Sequence, residues 1–381
     1  MKKWSKQEDD KLKKLVASGK TLREICYELQ LSEYLVKKRL LMLNLSLYKE
    51  SEIKQSQTKL QDRGFRKKYE DAVSIITELE KQLEIKKGLE NNPITISKIA
   101  PKLSGNDNEA TAVVLLSDWH YEETIKPASV NYLNEFNERV ANKRIEALFQ
   151  TIVKYIKLHQ KETNINNLVL ALLGDFISSN IHDELKEGNS DLPIQAIWKV
   201  QNLIASGIKH ILDNTDVSLI IPCSPGNHSR ITEKQRVATE HGNSLEWLMY
   251  MNLEQYFRGN NRIKFVINEG YHTFVDIYSY SIRFHHGHSI RFAGGVGGIY
   301  IPVNKAINQW NKAKKADLDC FGHFHQMKDG GTFISNGSLI GWNAYAIKIK
   351  ADFEKPKQAF FLVDKKRFVI CVRPIILNGN I

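Results

Sequence analysis

Leu168-Val169-Leu170-Ala171-Leu172-Leu173-Gly174-Asp175 is the stretch on which the fold turns. Six consecutive apolar residues are too few for an ordinary helix and fit a buried strand. A carboxylate follows at its end. Four more segments have the same design, each ending or following an apolar run: Asp118-Trp119-His120, Gly226-Asn227-His228, His286-Gly287-His288 and Gly322-His323-Phe324-His325. Each is expected at the tip of a strand. Together they supply two carboxylates, one amide oxygen and several imidazoles, which is a ligand set for two transition-metal ions. Two such ions held close together can activate a water and clamp both oxygens of a phosphoryl displacement. Asp118 and Asp175 follow Leu-Leu-Ser and Leu-Leu-Gly. A carboxylate in such surroundings is costly without a compensating partner, so a cation is expected beside each.

Outward from these segments, strands alternate with helices. Strands are predicted at 112–117, 168–174, 218–223, 272–277, 281–286 and 317–322, with further strand-like runs near 332–336, 345–350, 359–364 and 368–373. Helices are predicted near 137–160, 195–213 and 244–257. The fold class is α/β over residues 111–381. The glycine run from Gly294 to Gly298 matches neither a P-loop nor a dinucleotide fingerprint; it reads as a loop over the site or as a plain connection.

The chain has 381 residues, 42% of them hydrophobic and 25% charged, which suits a large core and more than one domain. No apolar run approaches the roughly 20 residues that span a bilayer, and the N-terminus has no apolar signal core. The four cysteines Cys26, Cys223, Cys320 and Cys371 form no CxxC pair, and three lie in strand-like runs where a reduced buried thiol is usual. A cytoplasmic protein without membrane partners is expected.

The net charge of +11 is unevenly placed. Residues 1–50 hold 12 Lys and Arg against 7 Asp and Glu. A basic head beside a near-balanced body points to a nucleic-acid partner. Residues 1–47 read as three short helices. Acidic residues open the first, Gly19 ends it, Thr21 with Glu24 caps the second, and Ser32 caps the third. The short turn between the last two makes a helix-turn-helix pattern, a small all-α domain. Residues 48–110 read as a helical linker. Within it Phe65, Tyr69, Ala72, Ile76, Leu79 and Leu83 step by heptads, as in a short coiled coil joining two copies or a single amphipathic helix. Residues 91–110 read as connecting chain.

The segment from Trp4-Ser5 through Gly19-Lys20-Thr21 and Leu31-Ser32 to Leu43-Asn44-Leu45 resembles the DNA-binding head of GcrA-type regulators and of related phage and resolvase modules. That resemblance implies that Lys37, Lys38 and Arg39 face phosphates or base edges. Residues 112–345 resemble the calcineurin-like metallophosphoesterases, whose pattern of D-x-H, GD, GNH, H and G-H-x-H occurs here complete and in order. The resemblance implies a four-layer α/β/β/α sandwich with the site at the strand ends. It implies that Asp118, His120 and His325 bind one metal, that Asn227, His286 and His323 bind the other, and that Asp175 bridges the two. It implies that a metal-bridging hydroxide attacks phosphorus in line, while His228 faces the substrate and stabilises or protonates the leaving oxygen. Members often follow GNH with an acid that orients this histidine; here Ser229 and Arg230 follow, and Arg230 is a candidate phosphate ligand. His288 is expected behind the ligands or toward the substrate, with His182 and His241 on the surface. The ligand types suit Mn²⁺, with Fe²⁺ and Zn²⁺ as alternatives.

Three functions fit this reading. One is a DNA phosphodiesterase, a nuclease of the kind encoded by phages and mobile elements, which would work in a bacterial host's cytoplasm. Another is a phosphatase or phosphodiesterase acting on protein or small-molecule substrates. The third is a non-catalytic DNA-binding protein.

Overall fold

The computed structural model describes residues 4–47, 97–102, 108–292 and 295–377. The chain divides into two units, Met1–Thr95 and Ile96–Ile381. The heptad segment 65–83 lies outside the described residues.

In the first unit, helices α1 (Lys6–Ala17), α2 (Leu22–Leu29) and α3 (Glu33–Met42) follow one another closely. Ser5 with Glu8 and Thr21 with Glu24 form full capping boxes, each satisfying otherwise orphaned amides at a helix start. Ser32 stands at the N-cap of α3 but makes no side-chain capping hydrogen bond, contrary to the sequence reading. Leu12, Leu15, Ile25, Val36 and Leu40 form the buried centre.

The second unit is built from two six-stranded sheets. One has the order β12-β11-β2-β3-β4-β5 and the other β1-β6-β7-β8-β10-β9, where β1 is Ser97–Ile99, β5 Ile263–Ile267, β6 Thr273–Ile277, β9 Lys328–Asp329, β10 Phe333–Ser335, β11 Lys357–Asp364 and β12 Phe368–Ile376. The strands that matter for the site are β2 (Glu109–Leu116), β3 (Asn164–Leu172), β4 (Ser218–Cys223), β7 (Tyr280–Phe284) and β8 (Leu318–Phe321). Pairings β2·β3, β3·β4 and β7·β8 are parallel, so within each sheet these strands end on a common edge.

The side-chain period of two sorts residues into layers. Val114, Leu116, Leu168, Leu170 and Leu172 join a core that includes residues of α4 (Glu138–His159), α6 (Pro193–Asn214) and α7 (Leu245–Tyr256). Their neighbours Val113, Leu115, Val169, Ala171 and Leu173 join a second core with Val275, Ile282, Phe284 and Cys320 of the other sheet. A third core sets Val303 and Ile307 of α8 (Tyr300–Ala313) against Phe321 and Phe333. The layers therefore run helix, sheet, sheet, helix. Strands buried on both faces read as continuous apolar runs, which is why Leu168–Leu173 lacks alternation. No described helix is long and apolar enough to cross a membrane.

Several features differ from the sequence reading. Residues 263–267, not read as a strand, form the edge strand beside β4, and residues 183–188, not read as a helix, form a short helix, α5. Residues 97–99, read as connecting chain, form β1 (Ser97–Ile99), a parallel partner of β6 (Thr273–Ile277). Residues 344–348, read as strand, form helix α9 (Ala344–Lys348). Asn343 caps it by accepting from the Ala346 amide, and its buried positions Ala346 and Ile349 lie three apart, as a helix requires. Helix α8 was masked by the glycines before it and by Pro302, which the first turn of a helix tolerates. Cys371 is exposed, whereas Cys223 and Cys320 are buried and free.

The small first unit depends on few core residues. Ile25→Ala is expected to cost about 2–5 kcal/mol, comparable with the whole stability of so small a unit. Limited proteolysis read by mass spectrometry should then show cleavage within residues 4–47 at temperatures where the wild type resists. A wild-type digestion pattern would contradict the packing described.

Candidate metal centre

Five loops at strand ends bring the sequence-predicted residues together. Asp118, His120 and His325 place one ligand atom each within 4.8 Å of one another, and Asp175, His286 and His323 do the same. Asp118, Asp175 and His286 have almost no solvent exposure.

The loops are shaped for this purpose. Asp118, His120, Asp175, His323 and His325 all have φ between 46 and 70°, a left-handed conformation that costs a non-glycine residue stability and clusters at functional sites. Two motif glycines are required by close approach. A Cβ on Gly226 would lie 2.1 Å from Asp175 Oδ1, and one on Gly322 would lie 2.4 Å from Asp118 Oδ2.

Hydrogen bonds fix which atoms face inward. The Leu173 carbonyl can only accept, so His286 Nδ1–H donates to it at 2.6 Å, and Nε2 lies 2.9 Å from Asp175 Oδ2, the carboxylate that holds a proton on this ring. Ser178 Oγ donates to the Glu123 carboxylate at 3.0 Å and lies 2.8 Å from His120 Nδ1. His120 Nδ1–H therefore donates to Ser178, and its Nε2 lone pair faces His325 Nε2 at 3.2 Å. His325 Nε2 is in turn 3.5 Å from Asp118 Oδ1. The Asp118 carboxylate accepts from Ser117 Oγ at 2.5 Å and from the His323 amide at 3.0 Å. Asp175 Oδ1 accepts from the His228 amide at 2.9 Å.

Burial pushes the Asp118 carboxyl up to about 7, aided by Asp175. Burial raises Asp175 too, but His286, His228 and His120 outweigh it and hold that carboxyl well below the usual range. Burial lowers His286, and Asp175 more than reverses this, bringing it to about 10. Burial also takes His325 down to about 3 and carries His120 and His323 well below the usual imidazole range. His120, His323 and His325 are thereby neutral imidazoles, as cations require, whereas His286 would give up a proton on binding one.

The residues fit a pair of divalent ions. Buried Asn227 Oδ1 has no hydrogen-bond partner among the described residues. Such atoms are rare in folded chains and call for a missing partner. Mixed carboxylate, amide and imidazole donors suit a first-row transition ion.

His228 is held differently from the ligands. Its Nδ1–H donates to the Ser178 carbonyl at 3.0 Å, and its Nε2 lies 4.0 Å from Asp175 Oδ2. A backbone carbonyl thus orients it. Arg230 donates to the Asn227 carbonyl at 2.6 Å, so its guanidinium stays beside that loop. His288 is buried with its Nε2 3.2 Å from Glu240. His182 is exposed, yet its ring lies 6.4 Å from that of His228. His241 is only partly exposed, 5.8 Å from the Trp247 ring.

In the first unit, Lys37 pairs with Glu33 at 3.1 Å and Lys38 sits 5.9 Å from the Tyr34 ring centre. Arg39 differs from its predicted role. Its Nε and Nη2 bond the two oxygens of Asp9 at 2.7 and 2.5 Å, so it ties α3 to α1.

The sequence reading missed the supports. Glu246 accepts from the Phe176 and Gly226 amides, both at 2.7 Å, and so joins the Gly174-Asp175 and Gly226-Asn227 loops; burial raises its carboxyl to about 7. Ser178 and Glu123 stand behind His120, and Asn336 donates to Ser117 behind Asp118. Distance along the chain hid all of these. The nearest signal was a glutamate in the first turn of an apolar helix, at Glu246.

No protein-family model matches the chain, and no curated protein sequence does. Among solved structures, a hypothetical protein from Pyrococcus horikoshii shares 12% identity over 71% of this chain and 89% of its own, with a TM-score of 0.35. A dimetal phosphatase from Danio rerio shares 9% over 70% and 99%, with 0.32. Vps29 from Entamoeba histolytica shares 11% over 70% and 99%, with 0.29. At such values these similarities carry no weight for function, and the geometry of the site must carry it.

Ser178→Ala removes the acceptor that fixes the His120 ring. Affinity for Mn²⁺ at the Asp118 cluster is expected to fall about 10–100-fold, measured by calorimetric titration of the metal-free protein. Unchanged affinity would show that Ser178 does not orient His120.

Proposed function

We propose that this chain is a phosphoester hydrolase using two divalent cations, and that DNA is its substrate. One observation carries the first part: two buried His/Asp clusters with inward-facing lone pairs share one rim of strand ends, beside a histidine left free at Nε2. Bound there, two divalent cations supply Lewis acidity toward a phosphoryl group and a nucleophilic water at neutral pH.

The chain's residues then divide the work. Asp118, His120 and His325 hold one cation. Asn227, His286 and His323 hold the other, with Asp175 between them, offsetting repulsion between two dications. His228 turns Nε2 toward the leaving oxygen and is fixed in that pose by Ser178. Arg230 supplies a planar donor pair for a non-bridging phosphate oxygen. Mn²⁺ is the proposed ion.

DNA as substrate rests on the basic first unit, where Lys37 and Lys38 are exposed on α3. With Arg39 engaged by Asp9, these two lysines are the proposed phosphate contacts of that helix. The proposed setting is the cytoplasm.

The test is parallel hydrolysis of bis-p-nitrophenyl phosphate, p-nitrophenyl phosphate and labelled single- and double-stranded DNA by Mn²⁺-loaded protein. DNA and diester cleavage are expected, both lost in Asp175→Asn. Turnover of the monoester with intact DNA would make the chain a phosphatase, and full activity of Asp175→Asn would remove the two-cation assignment. The doubly charge-reversed variant Lys37→Glu/Lys38→Glu should keep diester turnover. Its slope of log affinity for DNA against log salt should flatten by roughly 2. An unchanged slope would take the DNA contact away from α3.

A further inference from the structure

Helix α9, which the sequence pattern disguised as a strand, carries an aromatic residue to the rim of the metal centre. The Tyr345 ring packs edge-on against His325, with centroids 5.0 Å apart, and lies 6.3 Å from the His323 ring. On the other side of the same cluster, the His228 ring packs edge-on against His120 at 4.8 Å. Since His120 and His325 face each other at 3.2 Å, His228 and Tyr345 flank the Asp118 cluster from opposite sides.

Tyr345 is partly exposed, and no hydrogen bond ties its hydroxyl to another described residue, so the hydroxyl is open to a ligand at the rim. The ring touches a histidine of each cluster, His325 and His323, which sets Tyr345 at the rim that both clusters share. A phenol is protonated at neutral pH and is therefore a donor there.

The ring is also held firmly in place. Asn343 caps α9 by accepting from the Ala346 amide at 3.1 Å. Asn134 donates to the carbonyls of Ile340 and Trp342, both at 2.8 Å. Buried Arg144 donates to those of Leu339 and Ile340 at 2.9 and 2.8 Å. The Leu339 amide reaches back to the Asp118 carbonyl at 3.0 Å. The segment leading to Tyr345 is thus bound to the same loop that carries Asp118.

We propose that Tyr345 is a catalytic residue whose hydroxyl donates a hydrogen bond to a non-bridging oxygen of the substrate phosphoryl group, opposite His228. This rests on the phosphoester reading above. An anionic phosphoryl oxygen offers the acceptor that the tyrosine lacks, and charge that develops on it during displacement strengthens the bond.

Tyr345→Phe keeps the ring and its packing and removes only the hydroxyl. With Mn²⁺-loaded protein, kcat for bis-p-nitrophenyl phosphate is expected to fall on the order of 100-fold with KM changed far less. Calorimetric titration with inorganic phosphate should show affinity about 10-fold weaker, while metal content by elemental analysis stays at the wild-type level. Tyr345→Leu removes the ring as well and serves as the packing control. Wild-type kcat and phosphate affinity in Tyr345→Phe would overturn the proposal, as would a loss of metal equal in both variants. The phosphate titration separates the two ideas. A wild type that hydrolyses no ester defeats the functional reading, yet weaker phosphate binding by Tyr345→Phe would still uphold the hydroxyl's role. A wild type that binds no phosphate defeats both.

Discussion

Two carboxylates sealed from solvent at the ends of parallel strands set the terms for the second unit. Asp118 and Asp175 are each about as buried as the leucines that precede them. A lone ionised carboxylate in that position is strongly disfavoured, so the surrounding loops are organised around compensation. Asp118 receives one hydroxyl and one backbone amide; Asp175 receives one amide and the His286 ring. These donors do not exhaust the acceptors gathered there, and the unpartnered Asn227 Oδ1 marks where more positive charge belongs. Cations would replace the proton that Asp175 otherwise stabilises on His286.

The same constraint explains the backbone. To turn a carboxylate or imidazole from a strand tip back across the sheet edge, the chain leaves the strand through the left-handed region. Five of the candidate ligands adopt it, at a cost of roughly 1–3 kcal/mol each. Gly226 and Gly322 then let a neighbouring loop touch the aspartate itself. Glu246 shows how the loops stay together, since one buried carboxyl group bonds an amide from each of two loops. It fixes the distance between Asp175 and Asn227 without entering the site.

Much of this was legible in the sequence because it lies in short runs. Leu168–Asp175 announces a strand buried on both faces and the acid at its tip, and the other motifs repeat that grammar. Strand boundaries in the two sheets follow from the same runs. Features that depend on pairing across long stretches were hidden. Nothing local ties Ser178 to His120, Asn336 to Ser117, or Asp9 to Arg39. The pairing of Arg39 with Asp9 was not announced, because a basic cluster on a helix does not say which member faces inward, and only the fold places Asp9 beside it. Helix α9 was hidden for another reason. Tyr345, Ile347 and Ile349 alternate as in a strand, yet the Asn343 cap and the spacing of Ala346 and Ile349 decide the matter. The short edge strand β1 has only three residues, too few for any periodicity to register.

Ser229, and no acid, follows Gly226-Asn227-His228, so the His228 ring is oriented from elsewhere in the fold. A carboxylate behind an imidazole both fixes the ring and adds a formal charge; the Ser178 carbonyl fixes the ring without one. With Nδ1–H committed to that carbonyl, Nε2 is the ring atom left to meet a ligand, and the carboxylate paired with it is Asp175 at 4.0 Å. The acid beside His228 is therefore not a neighbour in sequence but the carboxylate of the Gly174-Asp175 loop, which a strand about three residues longer or shorter would have carried out of reach.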